Sequence, residues 1–160
     1  MSQKIMQHSL YVPLLGTLAL LMAILAVAAP AVEAGGRPLT ATLSGANEVP
    51  NPGDPDGSGL MSLTLNQGQE EICWELSLSD IAPATRAHIH AGPAGQNGGV
   101  VVFFFDEVIG NPIPRPDPLT GCVDVEADLI KDIRQNPDQF YINVHNADYP
   151  GGAVRGQLSK

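Results

Sequence analysis

Positive charge is scarce in this sequence. Eight Lys and Arg stand against 17 Asp and Glu, a formal charge of −9 at pH 7. A protein that grips nucleic acid or an anionic membrane surface needs a basic patch to neutralise phosphates, so the composition argues against both as partners. Catalytic nucleophiles are equally scarce. No Ser stands in a G-x-S-x-G elbow, which removes the familiar hydrolase arrangement. Asp106 and Glu107 are adjacent rather than on one strand face, so they are not a glycosidase pair. The acidic stretch Asp54-Pro55-Asp56-Gly57-Ser58-Gly59 lacks the downstream bidentate Glu of a calcium loop and reads as a solvated turn. No internal repeat is present.

The longest apolar run lies at the N-terminus. Lys4 supplies a positive start, Leu14 to Ala28 an apolar centre, and Val32-Glu33-Ala34 a small-residue cleavage site, the three parts of a secretory signal peptide. Cleavage after Ala34 is expected, giving a signal peptide over 1–34, one domain over 35–160 and a secreted or periplasmic protein. The competing reading is an uncleaved anchor, because Tyr11 to Val32 approaches the length of a membrane span. Loss of 1–34 removes one charge of each sign, Lys4 and Glu33, so the charge stays at −9.

The only cysteines are Cys73 and Cys122. In an oxidising compartment an even pair is most simply a disulfide, with two buried free thiols as the alternative.

Beyond residue 35 the pattern is alternation and turn residues rather than helical periodicity. Strands are predicted at Leu39–Leu43, Leu60–Leu65, Glu71–Leu78, Ala87–Ala91, Val100–Phe105, Cys122–Val125, Phe140–His145 and Ala153–Leu158. Asn66 to Gln69 forms a hairpin-like turn between the second and third. The unbroken run Val100–Phe105 suggests burial on both faces. Leu129, Ile130 and Ile133 recur at helical spacing within Glu126–Gln135, with Lys131 and Arg134 late, and Asn136-Pro137 ends that helix. Gly110 to Pro118 holds four prolines and reads as a semi-rigid surface loop. The expected fold is mainly β, an antiparallel Greek-key-like sandwich or barrel of about eight strands with one short helix.

Three histidines follow the leader: His88, His90 and His145. Residues two apart on a strand share a face, which sets His88 and His90 about 6.5–7 Å apart at their Cα atoms, close enough to converge on one ion. His145 would be a third ligand if its strand lies alongside. Each histidine segment runs into a Gly-rich turn, Gly92 to Gly99 and Asn146 to Gly152, where backbone can approach closely. Three imidazoles suit copper or zinc better than magnesium or calcium. The alternative is no metal, with histidines that only hydrogen-bond. A blue-copper site needs a thiolate, and Cys73 and Cys122 are better explained as a disulfide; Met61 is the one methionine left as an axial ligand, in a strand that more simply packs it in the core. Arg86 and Arg155 stand in the same two neighbourhoods. They are candidates to hold a small anionic substrate near the ion, with surface ion pairs as the alternative.

Four segments in order, Leu43-Ser44-Gly45-Ala46-Asn47-Glu48-Val49-Pro50, Ala87-His88-Ile89-His90-Ala91-Gly92, Tyr141-Ile142-Asn143-Val144-His145-Asn146 and Pro150-Gly151-Gly152-Ala153-Val154-Arg155-Gly156-Gln157-Leu158, resemble the successive motifs of the CHRD domain, first described in chordin. The resemblance spans residues 39 to 158 and implies a β-sandwich module of exported proteins. The histidine set is also loosely similar to the copper site of copper/zinc superoxide dismutases, which use four copper ligands where this chain offers three. Expected functions are therefore copper-dependent redox chemistry such as superoxide dismutation, copper binding and delivery to a partner, or a non-enzymatic interaction or matrix role.

Overall fold

The computed structural model describes residues 38–106 and 117–160. The leader over 1–34 and most of the proline-rich loop lie outside them. Eight strands and one helix follow in order: β1 (Leu39–Ser44), β2 (Ser58–Asn66), β3 (Glu71–Ser79), β4 (Ala84–Ala91), β5 (Val100–Asp106), β6 (Leu119–Asp124), α1 (Ala127–Gln135), β7 (Phe140–Asn146) and β8 (Val154–Gln157). They form one antiparallel sheet in the order β5-β4-β7-β8-β1-β2-β3-β6, which curls into a nearly closed barrel.

The register explains the curl. Leu39, Ala41 and Leu43 of β1 face Leu63, Met61 and Gly59 of β2, while Leu63 and Met61 in turn face Trp74 and Leu76 of β3. Side chains alternate faces along a strand, so these apolar rows all point inward. Ala87 and Ile89 of β4, Ile142 and Val144 of β7, and Val154 of β8 continue the row and are buried. Trp74 meets Phe104 of β5 with ring centroids 5.5 Å apart, a contact between strands near opposite ends of the sheet order. Helix α1 adds Ile130 and Ile133 to the same core, with Asp128 in its first turn and Arg134 in its last, matching its macrodipole. Cys73 and Cys122 face each other across β3 and β6 and are joined as a disulfide.

One strand differs in burial from the sequence expectation. β5 is an end strand, so it buries Val102 and Phe104 but leaves Phe103 56% exposed. Continuous apolarity there does not mean two covered faces. Burial on both faces belongs to β7, where every residue is buried although Tyr141, Asn143 and His145 give it an alternating polar row. Something other than a second sheet must cover that row.

Candidate metal centre

Three loops supply the cover: 45–57 after β1, 92–99 after β4 and 147–153 after β7. The outward row beneath them is set by register. His88 of β4 faces Asn143 of β7, His90 faces Tyr141, Arg86 faces His145, and Asn143 and Tyr141 face Arg155 and Gln157 of β8. Sequence separation of 55 to 57 residues between the H-x-H pair and His145 is thus closed by the β4–β7 ladder.

The three imidazoles meet on this face. The ring of His88 lies 5.5 Å from His90 and 5.0 Å from His145, centroid to centroid. One ring nitrogen from each lies within 4.8 Å of the others. His90 and His145 each turn Nδ1 to a loop carbonyl, Gly98 O at 2.9 Å and Pro150 O at 3.0 Å. A carbonyl only accepts, so both Nδ1 atoms carry the proton and both Nε2 atoms carry the lone pair. Those Nε2 atoms, together with Nδ1 of His88, are buried and have no hydrogen-bond partner. A buried polar atom without a partner costs about 1–3 kcal/mol, so three of them in one histidine cluster are an expensive arrangement unless something partners them.

Electrostatics keep these rings neutral. Burial, then the neighbouring charges of His145, His90 and Arg86, bring His88 down to about 3. Burial likewise brings His145 down to about 4, the Pro150 bond opposing. His90 is lowered by burial as well, against the pull of its Gly98 bond. Neutral imidazoles, each with a ring nitrogen within reach of the other two, fit a transition-metal cation. The tautomers at His90 and His145 are those a ligating imidazole needs, with the far nitrogen bonded to a backbone carbonyl.

Of the two arginines, only Arg86 stands at the centre with a donor to spare. Its Nη2 donates to Pro150 O at 3.1 Å and its Nε is buried and unpaired. Arg155 is 2% exposed. It donates to Gln96 O at 2.6 Å, Asn97 Oδ1 at 3.2 Å and Pro93 O at 3.4 Å, and its Cζ lies 3.4 Å from the centroid of the Tyr141 ring. Met61 is wholly buried on the inward row of β2, on the face opposite the histidines. Asp54 belongs to the buried polar set rather than to a solvated turn, and its N–H donates to Ala153 O.

Several supporting residues carried no sequence signal of their own. The ring of Tyr141 stacks on His90, and its hydroxyl oxygen accepts from the N–H of Gly98 at 3.2 Å. Glu48 is buried and accepts a hydrogen bond from Asn143 Nδ2. Burial pushes its carboxyl up to about 7, against the opposing pull of Arg155 and the Asn143 bond. Asn97 Nδ2 donates to Val49 O at 3.1 Å, tying the first loop to the second. Glu48 packs against Gly152, at φ +141, where a Cβ would lie 2.6 Å from Oε2. The hints in sequence were that Glu48, Tyr141, Asn143 and Gly152 stand inside the family-like motifs and that Asn97 and Gly152 lie in the two Gly-rich turns.

Fold and centre define an eight-stranded antiparallel β protein with a buried imidazole cluster beneath three loops. The CHRD domain family model matches residues 39–158, and the chain belongs to that family, whose domains are extracellular. No curated protein and no solved structure matches the chain. Among the described residues no helix is long and apolar enough to cross a membrane.

Proposed function

We propose that this is an exported, secreted or periplasmic protein that binds one copper ion through His88, His90 and His145. It would serve superoxide dismutase-like redox chemistry or hold copper for a delivery partner. The observation that carries the reading is the set of three buried, unpartnered ring nitrogens, one from each histidine. An all-nitrogen donor set fits copper or zinc, and copper binds such sites more tightly among the divalent ions. Bound copper would supply one-electron chemistry. Gly98 and Pro150 hold the protons of His90 and His145 on the far nitrogens. Arg86, with its cationic head beside His88 and His145, draws a small anion to the centre. With a chain charge of −9, such steering acts only locally. The cross-strand disulfide and the extracellular habit of the family support export.

A second reading has its own support. The same two carbonyl bonds tie His90 and His145 to their loops, as a metal-free interaction or matrix module would require. The readings separate on metal content and copper affinity of the purified protein beside single His→Ala variants and the triple variant. Copper at one equivalent, lost in the triple variant, supports the centre. Copper binding unchanged in the triple variant, or absent from the wild type at micromolar concentrations, sinks it. Zinc in the same place would be spectroscopically silent.

A further inference from the structure

Away from the histidines, the described residues bring a second set of soft and hard donors together. Glu71, Cys73 and Cys122 each place a ligand atom within 4.8 Å of the others. The two sulfurs are joined in the oxidised protein, so this set holds nothing in that state. What matters is what holds the three groups in place once the bond is opened.

The ladder between β3 and β6 runs from Glu71 opposite Asp124 to Leu76 opposite Leu119, with Cys73 opposite Cys122 inside it. The inward residues Ile72, Trp74, Leu76 and Leu119 are buried and pin both strands. The sulfurs therefore remain neighbours without the covalent bond. Cys122 is exposed on the end strand β6, where a thiol can reach it, and exposed disulfides are the reducible ones. Glu71 Oε1 lies 3.2 Å from Cys73 Sγ, and Asn66 Nδ2 donates to the same oxygen at 3.3 Å, which fixes its direction.

The surroundings decide the chemistry of the opened pair. Glu71, Glu75 and Asp124 alternate onto the same outward face as the cysteines. Carboxylates disfavour a free thiolate, so the reduced pair is a poor nucleophile. A bound cation reverses the sign, since it is attracted by the carboxylates and itself deprotonates the thiols.

We propose that Glu71, Cys73 and Cys122 form a thiol-gated site for a thiophilic d10 cation such as Zn2+ or Cu+, open when the disulfide is reduced and closed when it re-forms. A dithiol supplies the opening step: its two S–H groups give two electrons and two protons to the protein S–S bond, leaving two protein thiols and the oxidised cyclic dithiol. Binding the cation then releases two thiol protons, with Glu71 as third donor and water in the remaining position. The site uses none of the histidines.

Cd2+ is the probe, because its thiolate complexes absorb in the ultraviolet. Full-length protein is reduced anaerobically with a phosphine, which does not compete strongly for the ion. Its fold is checked by circular dichroism, and oxidised and reduced samples are titrated in parallel. The histidine centre contributes to both samples alike, so its failure would not touch this comparison. The reduced protein is expected to take one additional equivalent, with thiolate-to-cadmium absorption and release of about two protons. Cys122→Ser is expected to lose that equivalent, and Glu71→Gln to weaken it by roughly tenfold or more, at least what an outer-shell partner commands. Reduced protein that unfolds, takes no additional Cd2+, or binds it unchanged in Glu71→Gln overturns the proposal.

Discussion

The ring of Tyr141 lies nearly parallel to that of His90, centroids 4.7 Å apart and planes 8° apart. The two residues face each other across β4 and β7. Gly98 completes a closed circuit with them: its carbonyl accepts a hydrogen bond from His90 Nδ1–H and its N–H donates to the Tyr141 oxygen. His90 is thereby held in plane by Tyr141 and in tautomer by Gly98.

Tyr141→Phe keeps the stack and loses one acceptor, so it should cost about 1 kcal/mol in urea unfolding. Tyr141→Leu loses the stack and the platform beneath Arg155, and should cost about 2 kcal/mol or more. If His90 ligates copper, its affinity should fall roughly tenfold or more in Tyr141→Leu and much less in Tyr141→Phe. Equal affinity in all three proteins would show that the stack does not position the ligand.

Glu48 makes stability depend on pH. Its folded-state value is raised from 4.5 to about 7, so the folded chain keeps a proton that the unfolded chain gives up. Stability from this group is full below pH 4.5 and declines as pH rises to about 7, on the order of 3 kcal/mol in all. Glu48→Gln preserves an oxygen for Asn143 and removes the titration. Its stability relative to wild type should grow between pH 5 and 8 in denaturant melts, and a constant difference would refute the assignment.

Gly98→Ala tests the close approach of the second loop. A Cβ there would overlap the carbonyl oxygen of Ala91, so the loop must move off the strand. A loss of about 1–3 kcal/mol is expected. Because Gly98 also anchors His90, copper affinity should fall with it, as isothermal titration would show.

The two arginines should part company. Arg155→Lys gives up a planar fork that serves three loop acceptors and a ring face, which an ammonium cannot replace. It should destabilise the fold by about 2 kcal/mol. Arg86→Gln should change stability far less but weaken azide binding to copper-loaded protein several-fold, measured by optical titration. Azide affinity that survives Arg86→Gln would remove Arg86 from the proposed anion site.

Much of this architecture was legible from alternation. Leu60 to Leu65 and Glu71 to Leu78 are strands because every second residue is apolar, and Leu129, Ile130 and Ile133 mark the helix by period. Val100–Phe105 misled because a run of apolar residues carries no information about which strand ends a sheet. The metal centre was half legible. H-x-H fixes a shared face locally, but the approach of His145 depends on a ladder between segments more than 50 residues apart. Glu48 and Tyr141 were invisible as single residues, since a lone Glu in a loop and a lone Tyr in a strand read as ordinary surface and core.

The two-sided burial of β7 has a consequence for how the chain finds its native pairing. The strand is a partition between an oily interior and a polar one, and its neighbours on either side carry the matching rows. A slip of one residue would carry Tyr141, Asn143 and His145 into the hydrocarbon and strand Ile142 and Val144 among hydrogen-bonding loops. Most sheets proofread their register from one side, with water tolerant of error on the other. Here both compartments reject the mistake, so the alignment that assembles the imidazoles is also the one that seals the barrel.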